Sequence, residues 1–126
     1  MKKKFFSSCE IKTKQINFGF FTKNINFAFK NYKYLNKNLH SNNNNNTKKK
    51  INEIQKLINL GKNNLKMVSQ IHSNKVILID NSNFENKFEA DGIITQDKTI
   101  SIGILTADCC PIFLFDNDSS FICCLH

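Results

Sequence analysis

Residues 100–115 read ISIGILTADCCPIFLF, an almost unbroken apolar run interrupted at Asp108-Cys109-Cys110 just before Pro111. A run of this composition is the pattern of strand buried on both faces. Asp108 then needs a reason to be there. Taking an unpaired carboxylate out of water costs several kcal/mol, so Asp108 is expected to be hydrogen-bonded, ion-paired or close to a metal.

Working outward, residues 112–115 and 121–125 flank Asp116-Asn117-Asp118-Ser119, whose turn chemistry predicts a hairpin. Upstream, short β-rich runs at 65–71, 75–79, 92–95 and 100–106 predict that the second half is mostly sheet. Before them, Thr47 can cap a helix with Ile51, Ile54, Leu57 and Ile58 on one face and Gly61 as its stop. The Asn run at 42–46 cannot bury a face and reads as surface loop. Residues 15–21 (QINFGFF) read as a strand, with Gly19 permitting close backbone approach. Residues 1–14 are basic and weakly patterned.

At 126 residues the chain is one small domain or a piece of one. All 18 basic residues are lysine, against 10 acidic residues, for a formal charge of +8. Abundant Asn, Lys, Ile and Phe match A/T-rich codons, which weakens the charge as a sign of an anionic partner. The charge is also uneven: residues 1–75 hold 16 Lys and 2 acids, residues 76–126 hold 2 Lys and 8 acids. Without arginine forks or zinc-finger spacing, the basic half does not argue for nucleic acid. No apolar stretch approaches the roughly 18 residues needed to span a bilayer, so no membrane role is expected. The Lys-Lys-Lys-Phe-Phe opening lacks the apolar core of a secretion signal, since Glu10 and Lys12 follow at once. Cys9, Cys109, Cys110, Cys123 and Cys124 form an odd set with two vicinal pairs, a poor disulfide framework that suits a reducing compartment. The expected location is cytoplasmic.

Three groups suited to a borderline cation fall at structured positions: His72 after one strand, Cys109 at the break, and His126 ending the last strand. Two imidazoles and a thiolate leave one tetrahedral position open, the stoichiometry of a catalytic zinc site. Water in that position would have its pKa lowered to about 7. Spacing alone leaves the alternative open, a buried cysteine and two incidental histidines. Cys124 shares the His126 face by the period of two, so it is either a fourth ligand or small core packing. His40 reads as a solvated loop residue, and Asp91, in Ala90-Asp91-Gly92, reads as a turn or strand-start residue rather than a catalyst.

Four ordered motifs are similar to those of the YfiH/DUF152 family: Gln70-Ile71-His72-Ser73-Asn74-Lys75-Val76, Ala90-Asp91-Gly92-Ile93-Ile94-Thr95, Thr106-Ala107-Asp108-Cys109-Cys110-Pro111 and Cys124-Leu125-His126. Gly19-Phe20-Phe21-Thr22-Lys23 resembles that family's opening strand, with Lys where the family has Arg. The family was once labelled polyphenol oxidase or laccase and is now regarded as zinc-dependent purine nucleoside phosphorylase with adenosine deaminase activity. The resemblance implies an α/β fold of mixed β-sheets flanked by helices, with residues 15–126 forming the N-terminal part of a single domain. It implies His72, Cys109 and His126 as zinc ligands, and purine nucleosides and phosphate as substrates. It also places Asn36, in Tyr32-Lys33-Tyr34-Leu35-Asn36, at the substrate pocket. The oligomeric state is left open.

There are departures. Asn24-Ile25-Asn26-Phe27 replaces the family's Gly-Gly-Val-Ser turn, and the A-G-W-R-G segment that follows the family's last histidine is absent. The expectation is therefore a fold incomplete for want of its C-terminal half, a fragment or truncated product. Its third ligand, on the last residue, would fray, leaving loose zinc binding and impaired turnover. Asp108, beside a ligand, is expected to orient it or to carry a proton, the first being favoured. Two other classes remain: a metal-independent cysteine hydrolase using Cys109 with His126 or His72, and a non-catalytic metal-binding fragment. Copper is the less favoured cofactor, because a multicopper oxidase needs on the order of ten histidines with His-x-His pairs, and three isolated ones are present.

Overall fold

Short β-branched and aromatic runs separated by polar turns can satisfy their backbone only by pairing with one another. The computed structural model shows how they do so. It describes residues 5–6, 16, 18–21, 52, 56, 64–118 and 120–126. The chain divides into two units, Met1–Lys62 and Asn63–His126.

In the first unit, β1 (Phe5–Phe6) pairs antiparallel with β2 (Phe20–Phe21), Phe5 opposite Phe21 and Phe6 opposite Phe20. Phe18 meets Phe20 edge-on, with ring centroids 6.4 Å apart. The weakly patterned basic segment thus holds a strand, carried by two aromatics that the surrounding lysines mask in any windowed reading. Asn52 and Lys56, one helical turn apart, are helical and exposed. The rest of the predicted helix, including its apolar stripe, lies outside the described residues, as do the Asn-rich loop, His40 and Asn36. The sheets of the expected α/β architecture are mixed parallel and antiparallel, while flanking helices are not seen among the described residues beyond those two positions. No helix among the described residues is long and apolar enough to cross a membrane.

In the second unit, β3 (Asn64–Lys66) runs parallel to β6 (Ile100–Ile102). A four-stranded sheet has the order β4-β5-β8-β7, with β4 (Val76–Leu78), β5 (Gly92–Thr95), β7 (Ile112–Phe115) and β8 (Ile122–Leu125). β4 and β5 are parallel, and β8 is antiparallel to both β5 and β7. All six predicted strands of this half are present, and β7–β8 is the predicted hairpin.

Register explains the core. Ile77, Ile93, Cys124 and Phe113 form one cross-strand row, and Ile93 and Cys124 are buried with Val68, Ile79, Ala90 and Ile100. The opposite face carries the rows Val76–Gly92–Leu125–Ile112 and Leu78–Ile94–Cys123–Leu114. Its edge positions Val76, Leu78, Ile112 and Leu114 are exposed. The expectation of burial on both faces therefore holds for Ile100 and Ser101 of β6 but not for β7, which alternates between half-buried and exposed.

The β4–β5 connection is irregular and is tied down by polar groups. Asp80 Oδ1 accepts from the Ser82 and Asn83 amides, and Asn83 Oδ1 accepts from the Asp80 amide at 3.0 Å. Lys66 is buried, and its ammonium donates to the carbonyls of Phe84 and of Asn86 (2.6 Å) while lying over the Phe84 and Phe88 rings. Burial pushes its pKa below the ordinary lysine value, with the Glu85 charge acting the other way. A buried cation can be held in this manner because carbonyl dipoles and ring faces replace part of its hydration.

Ile93 sits at the centre of the shared row with no exposed surface. Ile93→Ala should therefore cost about 2–5 kcal/mol, read in urea unfolding as a lower midpoint at unchanged slope.

Candidate functional site

β8 ends at Leu125, and His126 continues its antiparallel run along the chain preceding β5. The His126 amide donates to the Asp91 carbonyl at 2.7 Å, and His126 Nδ1 lies 2.8 Å from Asp91 Oδ1. Asp91 is anchored in turn, since its own amide donates to the Lys75 carbonyl at 3.0 Å. The expected fraying of His126 is thus countered by one backbone and one side-chain contact, both to the same buried residue.

The second carboxylate oxygen of Asp91 faces the loop after β3. Oδ2 accepts from the Ile71 amide (3.1 Å), the Ser73 amide (2.7 Å) and Ser73 Oγ (3.0 Å). Between those two amides stands His72, with φ of 58°. A non-glycine residue in the left-handed region is uncommon, although histidine is among the residue types that adopt it more readily. There it brings flanking N–H groups to converge on one anion. Burial alone would push the Asp91 carboxyl up, but the hydrogen bonds from His126, Ser73 and Ile71 outweigh it and hold the group well below the usual carboxylate range.

Cys109 is brought in from a third direction. Gln70 Nε2 donates to the Leu105 carbonyl and Gln70 Oε1 accepts from the Leu105 amide, both at 2.7 Å. One side-chain amide thereby extends the β3–β6 pairing beyond its backbone register, two residues before His72 and four before Cys109. Thr106 Oγ1 then donates to the Cys109 carbonyl and closes the turn.

The result is a cluster in which His72, Cys109 and His126 each offer a ligand atom, all within 4.8 Å of one another. The two imidazoles meet edge-on with centroids 4.9 Å apart. His72 and Cys109 are exposed and His126 is half-buried. Donors around one tetrahedral ion at about 2.0–2.3 Å lie roughly 3.3–3.8 Å from each other, so a small inward movement would seat a zinc-sized cation. Since Nδ1 of His126 is taken by Asp91, Nε2 is its free nitrogen.

Asp108 is placed differently from what its apolar neighbourhood suggests. It is exposed in a bend and makes no hydrogen bond or ion pair with described residues. Water solvates the carboxylate there, so no buried partner is required. Cys124 belongs to the apolar core, where burial pushes its thiol up to about 12, the neighbouring Cys123 adding to the effect. It is packing, outside the cluster. Cys109 and Cys110 are free and exposed. Sequence reasoning missed Asp91 and Gln70 as site-building residues. Their signal was positional: each lies within a motif that also carries, or directly precedes, a candidate ligand or a strand start.

Residues 17–126 match the family described as multi-copper polyphenol oxidoreductase laccase. The chain belongs to this family, the YfiH/DUF152 type. A purine nucleoside phosphorylase of Campylobacter jejuni is 42% identical over 59 residues, covering 47% of this chain and 25% of that protein. One of Corynebacterium glutamicum is 32% identical over 77 residues, covering 60% and 31%. The crystal structure of Bacillus licheniformis hypothetical protein YfiH superposes with a TM-score of 0.56 at 17% identity, covering 73% of this chain and 38% of that one. The matched parts thus amount to between 25% and 38% of these proteins' own lengths.

Linkage gives the sign of the pH response. Because the Asp91 pKa is depressed below 3.8 in the folded state, its contribution is whole above the unfolded value and is lost as pH falls below it. The unfolding free energy of the wild type should therefore drop more steeply than that of Asp91→Ala between about pH 5 and pH 3. Urea melts at stepped pH measure the difference.

Proposed function

We propose that this chain carries the metal centre of a zinc-dependent purine nucleoside phosphorylase that also has adenosine deaminase activity. The single observation behind this reading is the convergence of His72, Cys109 and His126 to within 4.8 Å, and the names of the relatives support it. His72 and His126 as neutral imidazoles and Cys109 as thiolate would hold the ion, leaving one coordination position for a reactant. Zinc bound there would supply Lewis-acid activation of a purine nucleoside or of its attacking partner.

The chain's own residues do the positioning. Asp91 keeps His126 oriented, Gln70 keeps the 105–109 turn against the His72 loop, and the exposure of His72 and Cys109 leaves the cluster open to substrate. Asn36 is proposed as a pocket residue and the cytoplasm as the location. Asp108, expected first as a group that orients its neighbouring ligand, makes no contact among the described residues through which it could do so and is proposed as an accessory proton group instead. Because the chain matches only part of its relatives, full turnover of nucleosides with phosphate is proposed for the family fold as a whole. The activity of these 126 residues alone is proposed to be impaired.

One observation also favours a thiol hydrolase: Asp91, His126 and Cys109 stand in the order carboxylate, imidazole, thiol of an activated nucleophile. The second imidazole, His72, has no task in that scheme, which is why the metal reading is preferred.

Metal content of the purified chain, followed by chromatography of inosine plus phosphate and of adenosine, tests the proposal. Zinc near one equivalent when the metal is supplied in excess, with hypoxanthine or inosine formed slowly and its formation abolished by a chelator, is the expected result. Inactivation by iodoacetamide with indifference to chelators would instead establish the thiol reading. In peptide mapping, zinc should shield Cys109 from alkylation while Cys110 stays reactive and the buried Cys123 and Cys124 react last.

A further inference from the structure

We infer that Asp91 is a positioning residue that sets both histidines of the cluster at once, selecting the Nδ1–H tautomer of His126 through Oδ1 and clamping the left-handed turn of His72 through Oδ2. The inference rests on the metal reading only for its consequence in ligation; the tautomer and the clamp are properties of the chain itself.

The geometry leaves little choice. Asp91 is buried, its side chain 2% exposed and that of His126 7%. Its Oδ1 is an acceptor 2.8 Å from His126 Nδ1, and an ionised carboxylate has no hydrogen to offer, so a neutral imidazole must place its proton on Nδ1. Nε2 then keeps its lone pair. Oδ2 is held by three donors, all from residues flanking His72. Those bonds fix the carboxylate plane, and through it the ring plane of His126. A carboxylate on one imidazole nitrogen is also the general means of fixing the ligating nitrogen and raising its basicity.

The isosteric variant Asp91→Asn separates this role from mere packing. Three donors outweigh one partner, so the asparagine oxygen should stay on the Ile71 and Ser73 side and keep the loop. Its NH₂ would then face His126 Nδ1, which can answer only by becoming the acceptor. The proton moves to Nε2, and the lone pair needed for ligation is lost.

Two readouts on the full 126-residue chain decide the matter. Long-range ¹H–¹⁵N spectra of the metal-free protein, recorded over a pH series so that the neutral imidazole is identified directly, should show neutral His126 protonated on Nδ1 in the wild type and on Nε2 in Asp91→Asn. Zinc titration against a chromophoric competitor should show affinity lowered about 10–100-fold in Asp91→Asn. Ser73→Ala, which removes one of three loop donors and leaves the His126 contact, should change it far less. An Nε2–H tautomer in the wild type overturns the inference even if the variant fails to fold, and so does an Asp91→Asn protein with wild-type tautomer and affinity. A wild type with the Nδ1–H tautomer that binds no zinc would instead retire the metal reading and leave the positioning role standing.

Discussion

One buried carboxylate joins three parts of the polypeptide that are remote in sequence. Asp91 lies at the mouth of β5, takes the ring of His126 on one oxygen and the loop around His72 on the other, and is held from behind by the Lys75 carbonyl through its own amide. Removing such a group from water is unfavourable unless every lone pair finds a donor. Here the donors come from segments that carry or adjoin two of the clustered residues, so the electrostatic requirement of the carboxylate and the convergence of His72 and His126 are met by the same contacts. His72 can hold a positive φ within that arrangement because the amides on either side of it point at a common anion.

Sheet order carries the rest. β4 and β5 are parallel neighbours, so the chain entering each lies at the same end of the sheet, while β8 is antiparallel to β5 and therefore leaves at that end. Residues before β4, residues before β5 and residues after β8 are thus neighbours by topology, and these positions hold Ser73, Asp91 and His126. Cys109 enters through β6, whose pairing with β3 is prolonged by the Gln70 amide acting as a surrogate backbone unit. A site at strand ends keeps the scaffold rigid and leaves the reactive atoms accessible.

Much of this was legible in the residues. Alternating and continuous apolar runs located all six strands of the second unit, and the Asp116-Asn117-Asp118-Ser119 turn located the hairpin, because both signals are local. The candidate ligands were legible as residue types at strand ends, yet their convergence was not, since it depends on which strands become neighbours, a non-local choice that spacing does not encode. Asp108 and Asp91 show the difference well. Both are acids beside apolar runs. The local pattern singled out Asp108 as the one needing a partner, whereas the fold exposes Asp108 and buries Asp91, a distinction made by a bend before Pro111 and by the β5–β8 register. β1 was illegible because two phenylalanines among lysines make no period, and their pairing with β2 is what defines them.

The apolar content of β7 has a related lesson. Ile112 and Leu114 read as a second buried face, yet they are exposed along with Val76 and Leu78 at the other edge of the same sheet. In the middle of that face sits Gly92, where an added Cβ would come within 2.7 Å of Leu125 Cδ2 and 2.8 Å of Val76 Cγ2. The side chains on both sides have closed over the glycine. Any larger residue there would have to displace Leu125, which immediately precedes His126, or Val76, which lies three residues after Ser73. Those are the two segments that the neighbouring Asp91 holds in place. Gly92 thus leaves room for the Leu125 and Val76 side chains to meet over the outer face, while Asp91, next to it in the chain, bonds the segments those two strands lead to.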